Sequence, residues 1–247
     1  MADRTLWNKI IDNALSSDVL RVDRADFIKA QMSPYMPGLD REAAEVISPR
    51  QLMDRRDFDR LVKKSVDYHM RLACLASAGA GLGGGWFLLG TIPADILQFY
   101  SHAIVLLKKM LYLYGWPQLT GRSGCMDDES RRIVTLFLGE MMGAGIVSAL
   151  AGEVAEAAVK QAAIRLPQNA AVQAAVNSAM EYVIKTTGVK LSKDAVGRGV
   201  AKVVPFIGAP ISAAITYRTF RVMASRLRKA LESEAFPVVE KVLALKK

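Results

Sequence analysis

From position 72 to position 94 the chain carries no charged side chain over 23 residues, and six of those residues are glycine. A run of that length spans a bilayer if it forms one continuous helix. Each interior glycine, however, costs a helix about 1 kcal/mol relative to alanine, and Pro93 closes the segment. Two readings follow: a helix that breaks at 83–85 inside a tightly packed protein, or a membrane-inserted hairpin. Packing is preferred, because a span has little use for six glycines unless neighbouring helices occupy the space they leave. Ala76, Ala80 and Gly84 form one row of small residues, and Gly139 and Gly143 form another. A Gly/Ala seam between 72–92 and 139–152 is the expected core contact.

Helical spacing recurs along the whole chain and strand alternation nowhere, so the class expected is all-α, a single compact bundle of about nine helices with a Gly/Ala-rich centre. Leu6, Trp7, Ile10, Ile11 and Leu15 mark a first helix, and a short second one covers 24–31. The Ser33-Pro34 to Pro49 stretch reads as a linker. Ser48, Pro49 and Gln51 then open a long helix through Leu52, Phe58, Leu61, Val62 and Val66. Punctuation places further helices at 91–114 with Gly115 after the end, at 127–151, 153–166, 169–187 and 192–204, and from Pro210 to about 235. The chain divides into an N-terminal helical extension and linker, 1–48, and a main helical domain, 49–247.

Charge is concentrated at one end. Residues 1–71 hold 13 basic and 12 acidic groups, whereas 181–247 hold 13 and 5, almost the whole of the net +9. No acidic residue occurs from 195 to 231. On a helical projection Phe220, Met223, Ala224, Leu227, Ala230 and Leu231 share one face, and Arg218, Arg221, Arg226, Arg228 and Lys229 fill the other. Such a basic amphipathic helix is either a solvated face or a contact for an anionic surface. With 7% aromatic residues the chain has few rings for stacking on single-stranded nucleic acid, which ranks nucleic acid last among anionic partners.

Catalytic signatures are missing. Gly79, Gly81 and Gly84 spell G-x-G-x-x-G, but after a helical pattern instead of a strand and without the acidic residue that a dinucleotide site needs. Cys74 and Cys125 lie far from any second Cys or His at ligand spacing, so no metal is expected and a reducing compartment is. The N-terminus MADRTLWNKI has no apolar signal core, and a cytoplasmic start is the expectation. On the helix after Pro93, Asp95, Gln98, His102 and Lys109 form one polar row. Asp95 and His102 stand two turns apart, too far for the carboxylate to orient the imidazole, so a solvated or interhelical polar face is preferred to a titrating site. His69, the other histidine, looks isolated.

Two stretches carry a family pattern: GTIPADILQFYSHAIVLLKKMLYLYGW at 90–116 and KVVPFIGAPISAAITYRTF at 202–220. In this order and separation they resemble the bacterial EcsC family, named after a gene product encoded beside an ABC transporter, with the likeness running over about 70–230. The motif positions here are Pro93, Asp95, Tyr114, Gly115, Lys202, Pro205 and Gly208. Asparagine is common in the family where this chain has Thr216. The resemblance implies a largely helical, non-enzymatic protein associated with membrane processes, and supplies no catalytic residues. Pro93 and Gly208 would set helix starts and close approaches, and Asp95 would sit in the positive first turn of its helix.

The leading expectation is a non-enzymatic protein without cofactor, peripheral on the inner face of the plasma membrane. It would bind anionic lipid or a membrane protein through the basic C-terminal helix and the Gly-rich segment, with self-association left open. The alternative is a soluble carrier of a lipid-like ligand in a helical cavity, for which eleven methionines supply adaptable lining. An enzyme using Asp95, His102 or Lys109 ranks third.

Overall fold

A computed structural model describes residues 7–8, 11–12, 22–82, 88–89, 92–119, 126–147, 150, 166, 168–201 and 205–232, with side chains described except at 76–97 and 187–213. Eight helices are defined among them: α1 Arg24–Met32, α2 Arg41–Val46, α3 Pro49–Leu52, α4 Arg55–Leu82, α5 Ala94–Leu113, α6 Asp128–Met142, α7 Ala170–Ala201 and α8 Pro205–Glu232. The class is all-α. Its one departure among the described residues is a two-residue antiparallel pairing, β1 Leu88–Leu89 against β2 Ile92–Pro93, just before α5.

Aspartate starts four of these helices. Asp23, Asp40 and Asp127 accept from the backbone N–H three residues on, at 2.9, 2.7 and 2.8 Å, and Asp54 accepts from Arg56 and Asp57 at 2.8 and 3.0 Å. Each satisfies amides that the first turn leaves without a partner. Asp54 explains one departure from expectation. The helix expected to run on from Pro49 stops after one turn at Leu52, and α4 restarts at Arg55 on its own cap. Ser48 makes no capping bond. The expected linker likewise holds a helix, α2, because Asp40 caps what two Ser-Pro pairs had suggested was irregular.

Helix ends differ from expectation for similarly local reasons. The helix expected to reach 151 stops at Met142: Gly143 adopts φ +108°, and the Ala144 and Gly143 amides donate back to Gly139 and Glu140. That is a Schellman stop, which glycine adopts without steric penalty. Gly115 ends α5 in the same way, with Trp116 N–H donating to Leu111 and Gly115 N–H to Tyr112. The two helices expected at 169–187 and 192–204 are one, α7, since an isolated glycine at 188 weakens a helix without breaking it. The last helix begins at Pro205 instead of Pro210, so Pro210 and Gly208 both lie inside α8. The uncharged run is not one helix: α4 ends at Leu82, α5 begins at Ala94, and the 83–87 break lies outside the described residues. So do the expected helix at 153–166, apart from Leu166, and the surroundings of the glycines between 79 and 90.

At the centre is α5, buried on nearly every side from Tyr100 to Leu113. A helix apolar almost all round must be enclosed, and α1, α4, α6 and α8 pack around it. Phe58 of α4 meets Tyr114 edge-on at 5.0 Å, while Phe99 of α5 meets Phe220 of α8 at 5.0 Å. Further along, Asp59 of α4 pairs with Arg228 of α8. Together these contacts set α4 antiparallel to both α5 and α8. On the other side of α5, α6 packs against α7 so closely that a Cβ on Gly139 would come within 2.9 Å of the Ala179 Cβ. Gly139 is thus a close-approach glycine against α7, while the expected seam with 72–92 falls mostly on side chains outside the described residues. Gly143 is the stop of α6.

Residues 22–52 fold onto this core. Arg24, 2% exposed, donates to the carbonyl oxygens of Trp116, Ala44 and Ile47 at between 2.5 and 2.7 Å. Its own amide donates to Gln118, whose side chain returns a bond to Val22. One guanidinium therefore fastens α1 and the α2–α3 segment to the end of α5. Trp7, also buried, donates its indole N–H to Thr135 of α6 at 3.0 Å, which draws the start of the chain into the same core.

Candidate functional site

The basic face of α8 divides into two groups. Arg226 donates to the Met142 carbonyl at 2.7 Å, so its guanidinium closes the C-terminus of α6 where the helix dipole is negative. Arg228 bonds Asp59 at 2.5 Å and Glu232 at 2.9 Å, and Glu232 also accepts from the Tyr114 hydroxyl. These two side chains are structural fasteners. Arg218, Arg221 and Lys229 are exposed and make no ion pair among the described residues. Interleaved with them are exposed apolar side chains, Ile215 at 62%, Tyr217 and Val222. By the helix register above, Leu75 of α4, 71% exposed, lies at the same end of the layer as Ile215 and Tyr217. Positive charge and wet hydrocarbon thus share one stretch of helix.

Of the polar row on α5, Gln98 is exposed, His102 and Lys109 are half-buried, and the Asp95 side chain lies outside the described residues. What the row faces is the finding. His69 of α4 packs opposite His102, ring centroids 6.5 Å apart, so the only two histidines of the chain meet across the α4–α5 interface. His69 is 3% exposed, and neither ring nitrogen has a hydrogen-bond partner among the described residues. Tyr68 stands edge-on to His69 at 5.2 Å. The Lys109 ammonium lies over the faces of Tyr68 and Phe27 at 5.5 and 5.3 Å, a cation–π seat in place of an acid partner.

The electrostatics of this group are those of crowded bases. Burial, then the charges of Lys109 and His102, push the His69 pKa down to about 3. Burial also lowers His102 and Lys109. At neutral pH His69 is therefore an uncharged imidazole with one N–H donor and one lone pair. Lys108, the residue before Lys109 on α5, is itself buried, and burial pushes its pKa down to about 8. Among the described residues no group of three or more histidine, cysteine, aspartate or glutamate side chains is placed to hold a metal ion. Nor is any described helix long and apolar enough to cross a membrane.

Sequence reasoning found His102 and Lys109 but left His69 alone. The missing signal was its register: Phe58, Val62, Ser65, His69 and Ala73 recur at three- and four-residue steps, and every one is buried. A histidine on that stripe had to face a neighbouring helix. Of the family-motif positions, Pro93 ends β2 directly before α5, Asp95 lies in the first turn of α5, Gly115 stops it, and Pro205 begins α8. Tyr114 bonds Glu232, and Lys202 lies outside the described residues. Compared with family models, with curated proteins and with solved structures, the chain matches none.

Proposed function

We propose that this is a non-enzymatic peripheral membrane protein that binds an anionic lipid surface through the outer face of α8. The observation that carries the reading is the composition of that face: Arg218, Arg221 and Lys229, exposed and without acid partners among the described residues, beside exposed Ile215, Tyr217 and Val222. Basic groups are drawn to the negative surface potential, and the apolar side chains between them enter the headgroup boundary. A place on the inner face of the plasma membrane, kinship with EcsC-like proteins, a ninth helix outside the described residues and a Gly/Ala-rich centre belong to the same proposal. The Gly139–Ala179 approach supports the last of these.

Flotation with neutral and anionic vesicles tests it. Binding is expected on anionic vesicles only, weakening as salt screens the charges. Each basic group near an anionic surface contributes about 1 kcal/mol, so Arg218→Ala, Arg221→Ala and Lys229→Ala together should weaken binding by about two orders of magnitude. The fold should be untouched, since none of the three supports another helix. Arg226→Ala and Arg228→Ala are the contrasting pair, expected to lower the melting temperature. Equal binding to neutral vesicles, or undiminished binding by the triple variant, overturns the proposal.

A further inference from the structure

We propose that His69, His102 and Lys109 form a phosphate-binding site between α4 and α5. Buried polar atoms nearly always have partners, and His69 presents two that have none among the described residues, in a ring 3% exposed whose centroid lies 6.5 Å from that of His102. A neutral imidazole needs a partner that both donates and accepts. A singly protonated phosphate or phosphate monoester does both, its P–OH donating to the lone pair and its other oxygens accepting from N–H. Lys109 adds the positive charge. It is held against Phe27 and Tyr68, and among the described residues it makes no ion pair with a carboxylate.

The charged neighbours that act on His69 are Lys109 and His102, both basic. That disfavours a metal cation at the two imidazoles, and a carboxylate lacks the proton that His69 can accept. Of the group, Tyr68 is exposed and His102 and Lys109 are half-buried, so the cluster lies next to solvent. This site does not depend on the α8 surface, and the Arg218/Arg221/Lys229 variant separates the two.

Because the chain has only two histidines, ring NMR of the full-length protein labelled at histidine gives one signal set for each. Titration with inorganic phosphate should move both sets saturably, with sulfate, which carries no proton at neutral pH, at least about tenfold weaker. Dioctanoyl phosphatidic acid separates the sources. A response to inorganic phosphate assigns soluble phosphates, a response to the lipid alone assigns a headgroup, and both support the site. Lys109→Met, at a half-exposed position that leaves the fold intact, should weaken binding at least about tenfold, and His69→Phe should abolish it. The triple α8 variant should bind phosphate as the parent does. Overturning results are no saturable movement with either phosphate, parent-like binding by Lys109→Met, or movement with zinc ions but not with phosphate.

Discussion

Arg24 and His69 are withdrawn from water to the same degree, 2% and 3% exposed, yet their surroundings treat them in opposite ways. Around Arg24 three carbonyl oxygens from two separate segments converge on one guanidinium. Among the described residues no hydrogen-bond partner reaches either nitrogen of the His69 ring. The comparison separates two uses of a buried base. A satisfied one is a fastener, because its bonds offset the desolvation that lowers its pKa. An orphaned one costs stability, and what it retains is an unused capacity to bind.

The strongest way to break this contrast is Arg24→Met. It removes the charge but leaves the Trp116, Ala44 and Ile47 carbonyls buried without donors, and chemical denaturation should register a loss of about 3–5 kcal/mol. Arg24→Lys should recover only part of it, since a single ammonium cannot span three carbonyls. A loss below about 1 kcal/mol would show that the clamp is not holding the N-terminal helices down.

His69 gives the next effect, through pH. Its folded pKa of about 3 lies below the ordinary value of 6.5. The unfolded chain therefore binds a proton that the folded one does not, and stability is full above about pH 6.5 and falls as pH drops toward 3, by up to about 1.4 kcal/mol per unit. His69→Phe should flatten that acid limb and be neutral or stabilising at pH 7, by about 1 kcal/mol. An unchanged acid limb in urea titrations would remove His69 from the account.

Lys108 sharpens the comparison with the smallest shift. Its pKa is lowered from 10.5 to about 8, so its charge burdens the fold below pH 8 and is relieved as pH rises toward 10.5. Lys108→Met, close in volume, should raise stability at pH 7 by on the order of 1 kcal/mol and lose that advantage near pH 10. A variant less stable than the parent at pH 7 would place Lys108 with Arg24 among the fasteners.

Much of the architecture was legible because helices carry their own punctuation. The end of α5 at Gly115, the Asp127 cap of α6 and the start of α5 beside Pro93 follow from residues read singly. Local rules failed where two signals competed, as at Met53, where Asp54 caps a new helix although Pro49 had opened one. They failed again at Gly143, which looked like a packing residue and is a stop. Partnership between helices was not legible, because nothing in either sequence row tells Gly139 to meet Ala179. The candidate sites divide the same way. A projection of α8 finds five basic residues, but only tertiary neighbours reveal that Arg226 and Arg228 are spoken for. The α5 row finds His102, while the partner that gives it meaning sits 33 positions earlier on another helix.

The Asp59–Arg228 bond joins residues 169 positions apart, and it lies on the contact between α4 and α8. A ribosome adding about 5–20 residues per second delivers α4 roughly 10–30 s before the helix that covers it. Throughout that interval the face of α4 that carries Asp59 has no native cover from α8. Closure over α4 thus waits for α8, and a chain halted before α8 presents to chaperones and proteases the α4 surface that α8 covers in the finished fold.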